Sequence, residues 1–216
     1  MVVCDPFSNV TEEVRKCVCV VRDEHSIKGE FVLDGVAGAA DRPDVIVSEF
    51  VEQHAYARTI APMATNTVRL LTMIDPDSGQ PFIAAASHRF GTSSSAPADN
   101  FSSGGLAAAI DTETGRLGEV AVRSPEVLKR GRSHPETGER ITDVRVPDWS
   151  AVREVVLEAA LTVSHLPYIG WDIVVTEDGP RILEGNHYPN VRTLQIHGPL
   201  LTDDRVESFY EHHGVV

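Results

Sequence analysis

Apolar residues fall into short runs separated by turn residues, and one stretch carries a clear helical period. Val45 to Val51 (VIVSEFV) reads as a buried strand. Thr67 to Ile74 and Phe82 to Ala86 flank the turn Asp75-Pro76-Asp77-Ser78-Gly79, which predicts a β-hairpin. Leu106 to Ile110 and Leu117 to Val122 flank Asp111-Thr112-Glu113-Thr114-Gly115 and predict a second. Trp171 to Thr176 and Arg181 to Glu184 flank Glu177-Asp178-Gly179 and predict a third. Between the second and third, Val152, Val155, Val156, Ala159, Ala160 and Val163 recur at i, i+3, i+4 spacing, the mark of an amphipathic helix. Asp148 is its expected N-cap, and Pro167 its expected stop. A further helix is expected over Asp203 to His212, and polar Gly/Ser/Pro-rich loops over 89–105 and 123–147. Loops of that length inside a compact domain are often functional. The expected class is α+β, an antiparallel sheet with helices packed on it.

The chain has 216 residues and 42% apolar content, enough to bury the core of one domain, or of one domain with a small lobe. A formal net charge of -13 repels phosphate backbones and argues against nucleic acid as a partner. Of the 19 basic residues only Lys16, Lys28 and Lys129 are lysines. The rest are forked guanidinium groups, which suit phosphate and carboxylate. No run approaches the roughly 18 apolar residues that span a bilayer, so no membrane role is expected. No basic patch precedes an apolar run at the N-terminus, so no secretory signal is read. Cys4, Cys17 and Cys19 have no matching set downstream, which reads as reduced thiols in a cytoplasmic protein.

The third hairpin holds the most informative chemistry. With a three-residue Glu177-Asp178-Gly179 loop, Thr176 faces Pro180, Val174 faces Ile182 and Asp172 faces Glu184. Facing residues project from the same side of a sheet, and Asn186 shares that side two positions on. Two carboxylates opposite one another repel, so either a divalent cation offsets them, or they lie at solvated strand ends, or one is protonated. A two-residue Asp178-Gly179 turn would instead put Asp172 and Glu184 on opposite faces.

An Asp on one strand, then Glu-x-Asn about a dozen residues on, resembles the metal signature of ATP-grasp enzymes. The wording resembles the sugar-transfer-associated ATP-grasp family more closely. The resembling pieces are Val47-Ser48-Glu49 with Gln53-His54, Asn66-Thr67-Val68-Arg69, Asp99-Asn100-Phe101 with Gly104-Gly105, His134-Pro135-Glu136-Thr137-Gly138, Pro147-Asp148-Trp149, Gly170-Trp171-Asp172, Glu184-Gly185-Asn186 and Gln195. They occur in the family's order over roughly residues 45 to 198.

The resemblance implies an ATP-grasp-like antiparallel sheet over 45–216 that carries the metal and nucleotide site. It implies that 1–44 are a short remnant of an N-terminal lobe that is reduced or incomplete. Asp172, Glu184 and Asn186 would hold Mg2+, or Mn2+. Glu49 matches the hinge position near adenine, and Glu52 the ribose position or a solvated strand-end charge. Arg69 and Arg89 would be the catalytic cations, neutralising charge on a transferred phosphoryl group, unless they form surface salt bridges. Asn66 and Asn100 would be polar positioners. His134 would touch substrate or phosphate, or else stabilise a turn. Trp171 reads as a core aromatic.

The chain departs from the family where a lysine near a Gly-rich loop usually holds the phosphates; Arg22 or Lys28 would have to substitute. No Gly-x-x-x-x-Gly-Lys loop exists, which excludes a P-loop site. The resemblance implies an ATP- and Mg-dependent carboxylate–amine ligase working through an acyl phosphate and linked to sugar or polysaccharide modification. Its partners would be a small carboxylate, an amine, and a sugar or sugar nucleotide. The rival is a non-catalytic or split module that binds Mg-nucleotide or a partner chain supplying the missing lobe. A metal-dependent hydrolase built on His134 and Asp172 lacks a usual ligand set.

Overall fold

The computed structural model describes residues 51–123 and 128–216 and, before them, three short strands. These are β1 (Val3–Cys4), β2 (Val18–Val20) and β3 (Val45–Val47), in the order β1-β2-β3 and antiparallel throughout. They belong to one compact unit, Met1–Val51, and a second unit spans Glu52–Val216. Glu49, Arg22, Lys28 and Cys17 lie outside the described residues.

The second unit is built on a seven-stranded antiparallel sheet. Its strands are β4 (Val68–Ile74), β5 (Pro81–Phe90), β6 (Leu106–Ile110), β7 (Leu117–Arg123), β8 (Leu128–Gly131), β9 (Tyr168–Thr176) and β10 (Gly179–Asn186). The spatial order is β10-β9-β4-β5-β6-β7-β8. All three expected hairpins are present, and β9 returns to pair with β4 at the centre.

Short helices complete the unit: α1 (Ala55–Ile60), α2 (Trp149–Thr162), α3 (Arg192–Gln195) and α4 (Asp204–His212). Val152, Val156 and Ala160 of α2 recur every fourth position and are buried, so one stripe of the helix packs on the sheet. The stripe meets Val68, Leu70, Phe90, Trp171 and Ile173 in the larger core. Trp171 is a core aromatic as expected, its indole N–H donating to the Thr72 hydroxyl at 2.8 Å. Leu71, Met73 and Phe82 project the other way and pack under Leu194, Val206 and Phe209.

Several local expectations need correction. Asp148 occupies the N-cap position of α2 but makes no side-chain cap: its backbone is left-handed (φ 47°) rather than in the extended region that capping residues adopt. Helix α2 ends at Thr162, ahead of Pro167 as expected. Asp203, by contrast, caps α4 by accepting from Arg205 N at 2.9 Å. The 123–147 loop contains a strand, β8, whose mostly exposed Leu-Lys-Arg-Gly sequence gives no alternating signal.

The third hairpin differs in an instructive way. Thr176 pairs with Gly179, so the turn is the two-residue Glu177-Asp178. Val174 then pairs with Arg181 and Ile173 with Ile182, not Val174 with Ile182 as expected. A bulge between Ile182 and Glu184 inserts one residue and shifts the register. Asp172 therefore faces Glu184 after all.

Candidate functional site

Strand alternation puts the charged residues on one face. Val68, Leu70, Trp171, Ile173 and Phe90 fill the core beneath α2, so Arg69, Asp172 and Arg89 project from the opposite side. Arg69 is the Cα partner of Asp172. Its guanidinium grips that carboxylate with two N–H groups: Nε donates to Oδ1, and Nη2 donates to Oδ2 at 2.7 Å. Arg89 reaches the same carboxylate, with Nη2 3.0 Å from Asp172 Oδ2. These groups are nearly buried, so the attraction is little screened.

Asp172 is thus held by two cations. Burial works to raise its pKa, but the hydrogen bond from Arg69 and the charges of Arg89 and Arg69 outweigh that, and the carboxyl lies below its ordinary value. Burial likewise opposes the Arg89 charge, while Asp99 and Asp172 more than compensate and push its pKa up. Glu184 faces Asp172 across the hairpin. Asn186, two residues on, donates Nδ2–H to Glu184 Oε1 at 2.9 Å.

The other sequence candidates sit elsewhere. Asn66 is buried and fully engaged: Nδ2 donates to Gln53 Oε1 (2.9 Å), Ala61 O (2.8 Å) and Ala57 O (3.2 Å), and Oδ1 accepts from Gly91 N (2.9 Å). His134 is also buried. Its Nδ1 accepts from Glu136 N and Thr137 N, each at 3.3 Å, which assigns the proton to Nε2, the donor to Gly91 O at 2.8 Å. Both residues fasten the chain where it leaves β5, and their polar atoms are used up in doing so. Glu52 forms an exposed pair with Arg58 at 2.5 Å. Asn100 is exposed and precedes a single 3-10 turn, Phe101–Ser103, without capping it.

Sequence reasoning missed two residues of the cluster. Asp99 is buried and accepts from Thr67 N at 2.7 Å and from the Thr67 hydroxyl at 2.5 Å. Its Oδ1 lies 3.4 Å from Arg89 Nε. Thr67 Oγ1 in turn accepts from Arg89 Nε (2.9 Å) and Nη2 (2.6 Å). Both lie inside motif pieces that resemble the family, Asn66-Thr67-Val68-Arg69 and Asp99-Asn100-Phe101, but sequence reasoning assigns neither a role. Ser87, the Cα partner of Arg69, holds a buried hydroxyl with no partner among the described residues.

The donor set fits a hard divalent cation. Two carboxylates and an amide oxygen are oxygen ligands of the kind Mg2+ takes, and Asn186 Oδ1 has no partner among the described residues. Arg69 and Arg89 lie beside Asp99 and Asp172, with Glu184 opposite Asp172, and burial raises the Asp99 pKa against the pull of Arg89 and Thr67. Among the described residues no three His, Cys, Asp or Glu side chains gather as a metal centre.

The seven-stranded antiparallel sheet with its few packed helices is consistent with an ATP-grasp-like domain. Residues 13–208 match the sugar-transfer associated ATP-grasp family, and the chain belongs to that family. No curated protein matches the chain. ATP-grasp proteins use ATP and Mg2+ and act on carboxylate substrates, and this family is associated with sugar transfer. No helix among the described residues is long and apolar enough to cross a membrane.

Proposed function

We propose that the protein is an ATP- and Mg2+-dependent carboxylate–amine ligase linked to sugar or polysaccharide modification. The observation that carries this reading is the convergence of Arg69 and Arg89 on Asp172, with Glu184 and Asn186 alongside on the paired strand. In the reaction, a substrate carboxylate oxygen attacks the γ-phosphorus of ATP, ADP leaves, and an acyl phosphate forms. An amine then attacks the acyl carbon, and phosphate leaves with the bonding pair as the amide forms.

Asp172, Glu184 and Asn186 would hold the cation, which when bound would draw charge off the phosphate oxygens. Arg69 and Arg89 each keep one edge on carboxylates and leave Nη1 without a partner among the described residues. Those free N–H groups neutralise charge on the phosphoryl group in flight. Glu49, Glu52 and Asn100 stay candidates for nucleotide contacts. Asn66 and His134 serve by fixing the loop that follows β5.

A second reading rests on the same clamp. Both oxygens of Asp172 are taken by guanidiniums, as they would be in a module that keeps the fold without catalysis. Titration calorimetry with Mg-ATP on the full chain separates the ligase from a module that keeps only the fold. The ligase reading expects saturable binding that needs Mg2+ and is weakened in Glu184→Gln. No heat at millimolar nucleotide supports the non-catalytic module.

A further inference from the structure

The loop between β5 and β6 is tied down at several points. Asn66 and His134 hold Gly91, Glu136 accepts from the Ser93 amide (2.9 Å) and hydroxyl (2.6 Å), and Thr92 Oγ1 donates to Gly104 O at 3.1 Å. Gly105 then rejoins β6 with its Cα against the loop: a Cβ there would come within 2.5 Å of Asp99 O. What the fastened loop delivers is a single buried carboxylate, Asp99, to the foot of Arg89. An unpaired buried carboxylate is costly, so its place is explained by what it holds.

We propose that Asp99 is a positioning residue of the site, fixing Arg89 through Thr67 for contact with the phosphate of a bound nucleotide. This rests on the ligase reading. Asp99 Oδ2 takes both the amide and the hydroxyl proton of Thr67, which leaves the Thr67 oxygen lone pairs for Arg89 Nε and Nη2. Asp99 Oδ1 adds a charge contact to Nε. One edge of the guanidinium is thereby spent on the protein. Its plane is set by two neighbours rather than by Asp172 alone, so Arg89 keeps its orientation when a cation draws on the Asp172 carboxylate. Nη1 remains for an anionic oxygen. Arg69 has no such second anchor: its partners among the described residues are both oxygens of Asp172. The two arginines are therefore unequal, one fixed and one free to turn as Asp172 changes partner.

The test uses the full chain and Mg-ATP. Asp99→Asn keeps an acceptor for Thr67 but removes the charge; Thr67→Val removes the hydroxyl and keeps the shape; Thr67→Ser restores the hydroxyl. Calorimetry is expected to show Asp99→Asn and Thr67→Val weakened about tenfold or more, as for breaking a buried charge contact, with Thr67→Ser close to wild type. A purely structural role would lower the thermal midpoint and leave the affinity of the folded protein unchanged, which would overturn the proposal. The Arg89 Nε–H resonance, read by 15N NMR without nucleotide, keeps the proposal testable if wild type binds no Mg-ATP. It is expected to be protected from exchange in wild type and in Asp172→Asn, to exchange faster in Asp99→Asn and to lose protection in Thr67→Val. Protection unchanged in Asp99→Asn would overturn it, whatever becomes of the ligase reading.

Discussion

Asp172 is gripped by Arg69 through two N–H groups and by Arg89 at 3.0 Å, so removing its charge does two things at once. It takes a ligand from the proposed cation, and it leaves two nearly buried guanidiniums with one partner fewer. Asp172→Asn is expected to cost about 3 kcal/mol of stability as well as metal affinity, measured by urea unfolding beside a Mg2+ titration. Glu184 is only half-buried, lies against Asp172 and accepts from Asn186, and no guanidinium grips it among the described residues, so Glu184→Gln is the cleaner probe of metal. Asn186→Ala should weaken Mg2+ less than Glu184→Gln, because it removes a neutral oxygen rather than a charge; the reverse order in the titration would assign Asn186 to the hairpin or the nucleotide. His88 carries a different prediction. It is fully buried between the Tyr56 hydroxyl (2.6 Å) and Arg89 O (3.0 Å), stacked on Phe90, and burial lowers its pKa from 6.5 to about 4. The unfolded chain then binds the proton first as pH falls. Stability from neutral His88 is complete above 6.5 and is lost progressively down to about 4, by about 3 kcal/mol in all. Urea midpoints across that window should fall more steeply in wild type than in His88→Gln, and equal slopes would contradict the assignment.

Turn chemistry decides more than strand pattern at the scale of elements. Gly115, in the β6–β7 turn, has a positive φ of 70°, and a Cβ there would stand 2.5 Å from Trp149 Cγ. Trp149 is held in turn by donating Nε1–H to Thr112 O at 2.9 Å. Gly115→Ala should therefore strain the backbone and displace the first residue of α2, costing about 2 kcal/mol or more, with a lower thermal midpoint as the readout. The period of α2 and the apolar runs of the hairpins were legible because their side chains fill the cores on the two faces of the sheet. The β9–β10 hairpin was legible in outcome but not in route. Its turn and its bulge each shift the register by one, and the two shifts cancel between Ile182 and Glu184. Strand β8 left no sequence signal because at the sheet edge its side chains are mostly exposed and bury no apolar stripe.

At the scale of the whole molecule, a ligand that binds only the folded chain should stabilise it by mass action. Mg-ATP at about one hundred times its dissociation constant is expected to add about 2.7 kcal/mol, seen as a raised thermal midpoint, and chelation with EDTA should remove the gain. An unchanged midpoint would agree with the non-catalytic module. The sequence by itself determined the three hairpins, the two longer helices, the antiparallel sheet and the family, because periodicity, turn residues and ordered motifs are local properties of the chain. It also placed Arg69, Arg89, Asp172, Glu184 and Asn186 on a short list. Only the tertiary structure decided that β9 crosses back beside β4, and that crossing sets Arg69 against Asp172. It also separated Asn66 and His134, whose polar atoms are spent on the loop, from Asp99 and Thr67, which reach Arg89. The physical reason is that a polar side chain's role depends on which donors and acceptors surround it once buried. Those partners come from residues distant in sequence, Asp99 lying 32 positions from Thr67 and Asp172 lying 103 from Arg69.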